Sequence, residues 1–130
     1  MKYWGFWLTM FFLMVLPAGI LAEVGVEPRK IVLGTHQPLS GPMKNYAQIG
    51  RGASIYFQYL NDQGGIHGRQ LFLLQRDDRF KPQRTLKLVE ELVMKDRVFA
   101  LFSGIGTETS ESAMPLLKSQ GVPHFFIGSN

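Results

Sequence analysis

The residues best suited to chemistry in this chain form one short run, Ser103-Gly-Ile-Gly-Thr-Glu-Thr-Ser110, which follows an apolar segment and opens onto a helical pattern. Hydroxyls and bare glycine amides at a helix N-terminus suit a carboxylate or a phosphate. The candidates are Ser103, Gly106, Thr107 and Thr109. Thr107 is also the natural N-cap, and a capping oxygen bonded to its own helix is not available to a ligand. The run lacks a Gly-x-Gly-x-x-Gly pattern, since position 109 is Thr, and it lacks the Lys of a phosphate-binding loop. Asp77 and Asp78 are adjacent carboxylates at the end of strand two. Consecutive residues of a strand point to opposite sides, so the two read as turn and cap ligands rather than a facing acid–base pair. His36, His67 and His124 have no metal-ligand spacing, and the chain has no cysteine. No serine sits in a Gly-x-Ser-x-Gly elbow. These patterns point to no catalytic residue, no metal and no cofactor. Tyr46 stands beyond a Pro-Leu-Ser-Gly-Pro loop, either as an apolar wall for a ligand or packed on its own helix cap.

These residues need strands and helices to hold them. Lys30–Thr35 reads as strand one and Tyr46–Asn61 as a helix with Ile49, Ala53, Phe57 and Leu60 inward and Tyr56 beside them. Leu71–Gln75 is strand two. Pro82 opens a second helix with Leu86, Val89, Leu92 and Val93 inward, ending near Lys95 or Asp96. Val98–Phe102 is strand three. Thr109–Ser119 is a third helix with Ala113, Leu116 and Leu117 inward, stopped by Gly121. Pro123–Ile127 is strand four. The alternation implies an α/β fold, a parallel sheet with helices on both faces. Right-handed crossovers then bring every strand-end loop to one edge, including Gly128-Ser129-Asn130.

The 130 residues are 45% hydrophobic and 18% charged, an ordinary globular balance. The apolar residues concentrate in Trp4–Leu16, between Lys2 and a Pro17-Ala18-Gly19 break, before Ala22 and Glu23. A basic start, an apolar core and small residues form a signal peptide over residues 1–22, with cleavage after Ala22. The alternative is an uncleaved membrane anchor, since 20 uncharged residues lie between Lys2 and Glu23. Either way the remainder is exported. Loss of Lys2 lowers the net charge from +4 to +3, and the basic residues are dispersed, which argues against nucleic-acid binding. Removing 22 of 130 residues leaves 108, enough for one core, which must form without disulfides.

Pro38-Leu-Ser-Gly-Pro42, Gly52-Ala53, Asn61-Asp-Gln-Gly-Gly-Ile-His-Gly-Arg69, Asp77-Asp78, Val98–Phe102, Gly106-Thr-Glu-Thr-Ser110 and Gly121-Val-Pro123 occur in one order. As a set they resemble the first lobe of the type I periplasmic binding proteins, in the branch of leucine/isoleucine/valine-binding subunits of ABC importers. The resemblance runs from Ile31 to Asn130. It implies a periplasmic protein that holds an amino acid or related small carboxylate between two lobes and delivers it to an ABC permease. The membrane is then met only through the permease or an uncleaved leader. It implies ligand contacts from Gly106 and Thr107, with Ser103 and Thr109 beside them, from Ser129 and Asn130 after strand four, and an aromatic at Tyr46. Ile105-Gly-Thr-Glu108 replaces a run of serines usual in amino-acid binders. That leaves branched-chain, aromatic and dicarboxylic acids or amides as ligands. Residues 23–130 would be an incomplete first lobe supplying half a site. Alternatives are a ligand-sensing regulatory module on the same fold and a non-functional truncated fragment.

Overall fold

The computed structural model describes residues 23–129; the expected leader, 1–22, and Asn130 lie outside the described residues. The elements are β1 (Lys30–Gln37), a 3-10 turn (Lys44–Ala47), α1 (Gln48–Asp62), β2 (Gln70–Asp77), α2 (Pro82–Met94), β3 (Ala100–Phe102), α3 (Thr107–Gln120) and β4 (His124–Phe125). The four strands form one parallel sheet in the order β2-β1-β3-β4.

Helices cover both faces, because successive strand residues alternate sides. On one face Val32, Leu74, Val98 and Leu101 meet Val89, Leu92 and Val93 of α2 and Ala113 and Leu117 of α3. On the other, Leu33, Ala100, Leu71, Leu73 and Phe102 meet Phe57 of α1. Leu92 and Leu101 are completely buried, each contributing roughly 1.5–3 kcal/mol of apolar burial.

Several expectations are corrected. β1 continues through His36 and Gln37, which pair in register with Arg76 and Asp77. β3 and β4 are shorter than expected. The Val98 amide is taken by Leu92 O at the end of α2, 3.1 Å away, and Phe126 at φ 55 turns the chain out of β4. On α1, Phe57 is buried, but Ile49 is 48% and Tyr56 58% exposed. The reason is polar. A side chain at the buried Gly50 would meet Gln75 Oε1 at 2.9 Å and Gln37 Cδ at 3.0 Å, and Gln75 Nε2 donates to Ser54 Oγ at 2.8 Å. Two glutamines from the strand ends thus set the inward line of α1 along Gly50, Ser54 and Phe57. On α2, Thr85 rather than Leu86 faces inward, drawn by Asp78: its hydroxyl lies 3.0 Å from Asp78 Oδ2.

Candidate functional site

The C-terminal ends of the strands carry four loops to one edge. Immediately after β3, Ser103 adopts φ 59 and is buried. The Gln37 side-chain amide donates to Ser103 O and lies 2.9 Å from Thr35 Oγ1, so the end of β1 holds the turn from below. Gly106, at φ 98, occupies the N-cap position of α3. This corrects the expectation for Thr107, which is the first helical residue and is exposed. Glycine is needed at 106 for its φ and its crowding: a Cβ would lie 2.6 Å from Thr109 Oγ1 and 2.7 Å from Phe80 Cε2. Thr109 is buried, its hydroxyl 2.5 Å from Ile105 O and 3.0 Å from Gly106 O, so it shapes the loop. Thr107 and Glu108 are exposed at the positive end of the α3 dipole, where Glu108 competes with any anionic ligand.

The loop after β4 is knitted to this one. Gly128 N donates to Gly104 O and Gly106 N to Gly128 O, both at 2.8 Å, so Ile105 and Gly128 form a parallel bridge beyond the end of the sheet. Ser129 follows Gly128 in the chain and is exposed. The structure thus gathers Ser103, Gly106, Thr107, Thr109 and Ser129 into one paired set of loops. Tyr46 stands on the 3-10 turn after β1, at the same edge, and is 44% exposed. Asn130 lies outside the described residues.

The two aspartates separate as expected. Asp77 accepts from Ser40 Oγ at 2.6 Å and from the amides of Ser40 and Arg79 at 3.2 Å, tying the Pro38–Pro42 loop to β2. Burial works to raise its pKa, but the Ser40 hydroxyl, the two amides and the Arg79 guanidinium together hold it below the ordinary value. Asp78 turns inward, accepting from Phe80 N at 2.8 Å and meeting His36 Nδ1 at 2.9 Å.

That last contact opens a buried network that sequence reasoning missed. His36 Nε2 lies 3.4 Å from Ser110 Oγ on α3, and Thr85 Oγ1 also approaches Asp78. Asp78, His36 and Ser110 follow the contact order of an acyl-transfer triad. Yet Ser110 is 2% exposed and His36 fully buried, so no substrate reaches that hydroxyl with the core closed. The chemistry it performs here is structural: it fastens β1, the β2–α2 loop, α2 and α3 together under the edge. The partners lie 42 and 74 residues apart, and no local pattern joins them.

Another groove, about 560 Å³, opens at the opposite edge among Val26, Lys30, Val32, Phe72, Leu74 and Arg97. It has no convergent hydroxyls and sits at strand N-termini, where open α/β sheets do not place their ligands. The paired loops are therefore the better candidate.

The profile of a family described as "Periplasmic binding protein" matches residues 30–130. The chain is 25% identical over 113 residues to "Leu/Ile/Val-binding protein homolog 7" of Brucella suis, covering 86% of this chain and 28% of that protein. The branched-chain amino acid transporter substrate binding protein LivJ of Streptococcus pneumoniae, solved in complex with isoleucine, superimposes with a TM-score of 0.70. It is 22% identical, over 78% of this chain and 28% of that one. A fatty acid ABC transporter substrate-binding protein of Thermomonospora curvata gives a TM-score of 0.74 at 24% identity, over 82% of this chain and 28% of that one. The chain thus spans about 28% of the length of these relatives.

Proposed function

From the premise that the chain belongs to the periplasmic binding protein family, we propose that it is the solute-binding component of an ABC importer, working outside the cytoplasm on an amino acid or related small carboxylate. The observation that carries this reading is the pairing of the loops after β3 and β4 through Gly104, Gly106 and Gly128, the residues next in sequence to Thr107 at the start of α3 and to Ser129. A carboxylate is stabilised there by the helix dipole and by hydroxyl donors. Isoleucine and fatty acids, named for two of the relatives, share that group and little else. A branched-chain amino acid fits the reading best, with Tyr46 as an apolar wall. The partner would be the importer's permease. Among the described residues no helix is long and apolar enough to cross a membrane, and the leader would supply export.

In this reading the described residues form one wall of the pocket. A ligand held on one side stays wet, and its hydrogen bonds compete with water. Affinity for residues 23–130 alone is then about millimolar, a few kcal/mol. The test is an NMR titration of that protein with isoleucine, its amide and the corresponding amine. Shifts at the Gly106, Thr107 and Ser129 amides with isoleucine alone support the reading. Equal shifts with the carboxylate-free amine, or shifts confined to other regions, would sink it.

A further inference from the structure

Beneath the loop after β3 two imidazoles meet edge to face. The rings of His36 and His124 are 5.6 Å apart at 69°. A carboxylate only accepts, so His36 Nδ1 carries a proton toward Asp78, while Nε2 lies 3.4 Å from Ser110 Oγ. His124 is different. Both of its ring nitrogens are buried and neither has a hydrogen-bond partner among the described residues. Gly104 lies over both rings, where an added Cβ would be 2.3 Å from His36 Nε2 and 2.6 Å from His124 Nε2. The same residue's carbonyl accepts from Gly128, so the glycine resting on the two imidazoles also joins the two loops. The groups facing the pair are Asp78 from the β2–α2 loop and Ser110 from α3, while the rings face each other from β1 and β4. Among the described residues Asp78 is the one charged side chain bonded to either ring.

We propose that the His36–His124 pair is an acid-sensitive latch: with His124 neutral, Gly104 stays in place and the loops after β3 and β4 remain paired, and a proton on His124 parts them. This rests on the reading that those loops receive the solute, and it makes solute release favourable in acid. A charged His124 would be desolvated with no acceptor for either N–H. Lifting Gly104 lets water reach the ring and relieves that cost. Burial, and then the neighbouring His36, already hold His124 down at about 4.

The test begins without solute. Residues 23–130, isotopically labelled, are taken from pH 7.5 to 3.5 while NMR follows the His124 ring and hydrogen exchange at Gly106 and Gly128, with Val93 in α2 as a core reference. Corrected for intrinsic rates, exchange at the two loop amides rises about tenfold or more as His124 gains its proton, while Val93 stays protected. His124→Gln abolishes that step; should this variant not fold, His124→Phe replaces it, and the wild-type coincidence needs no variant. Loop exchange that ignores the His124 titration, or the same step persisting in the variant, overturns the latch. Isoleucine is then titrated at pH 7.5 and 4.0, where an ordinary α-carboxyl is still mostly ionised. Affinity falls about tenfold in the wild type and less than about threefold in His124→Gln, following the loop opening. Equal affinity at both values with a titrating His124 overturns the latch and spares the solute reading. Loops that open with His124 in a protein that binds no carboxylate at either pH support the latch and overturn the solute reading.

Discussion

Gly106 and Thr107 divide a role that sequence reasoning placed on one residue. The backbone of Gly106, at φ 98, makes the turn into α3, and Thr107 stands exposed one residue later. Replacing Thr107 therefore does not uncap the helix. Thr107→Ala should weaken carboxylate binding by roughly 1.5–3 kcal/mol, the range of a hydrogen bond to a charged group. Stability should change by less than the ~1 kcal/mol typical of a lost cap. Binding titration beside thermal melting separates the two, and a lowered melting temperature with unchanged affinity would return Thr107 to a purely structural part. Ser103 and Thr109, chosen from the sequence for their hydroxyls, are buried. A list of polar residue types carries no burial, so it could not separate the residues that build the loop from those that face outward.

At the scale of elements, α1 shows where periodicity misleads. Ile49, Ala53, Phe57 and Leu60 share a helical face on paper; Phe57 is buried and Ala53 and Leu60 are half-buried, but Ile49 is exposed, because Gly50 and Ser54 turn toward the strand-end glutamines. Hydrophobic spacing locates a stripe but not the polar groups that the opposing strands raise against it. Phe57 packs on Phe102 with ring centroids 5.2 Å apart. Phe57→Ala should cost about 3–5 kcal/mol, and Ile49→Ala, on the exposed side, within about 0.5 kcal/mol. Urea unfolding of the two variants decides it, and comparable losses would restore the face first expected. The leader pattern over residues 1–22 makes a separate prediction. Expressed in a Gram-negative host, the protein should be recovered from the periplasm with an intact mass that begins at Glu23. A cytoplasmic product retaining Met1 would refute export, and a membrane-bound one would mark an anchor.

At the scale of the molecule, acid stability follows from His124. Well above pH 6.5 the imidazole is neutral in both states. As pH falls from 6.5, the unfolded chain takes up the proton, and the folded one does so only near 4. The unfolded state thus binds more protons throughout that window, and folding stability declines as pH falls through it. At 1.36 kcal/mol per pKa unit the loss is at most on the order of 3 kcal/mol. Urea unfolding at pH 7 and pH 4.5 should show a larger decline for the wild type than for His124→Gln. Equal declines would assign the acid sensitivity to other groups.

The alternation of apolar strands with helical periods was enough to give a parallel α/β sheet, because each βαβ unit is a local pattern closed by a right-handed crossover. It also placed the strand-end loops on one edge and singled out the segment from Ser103 to Thr109. Strand ends were less legible: β4 stops at Phe125 because Phe126 takes a left-handed turn, which leaves that residue 76% exposed beside Phe102, and an apolar run does not announce where its φ changes sign. Only the tertiary structure decided that His36, Asp78, Ser110 and His124 share one buried cluster under Gly104. Their partnership depends on the order β2-β1-β3-β4, which sets the ends of β1, β2 and β4 around the start of α3. Contacts across 42 and 74 residues leave no spacing in the chain, since chain distance says nothing about which strands become neighbours.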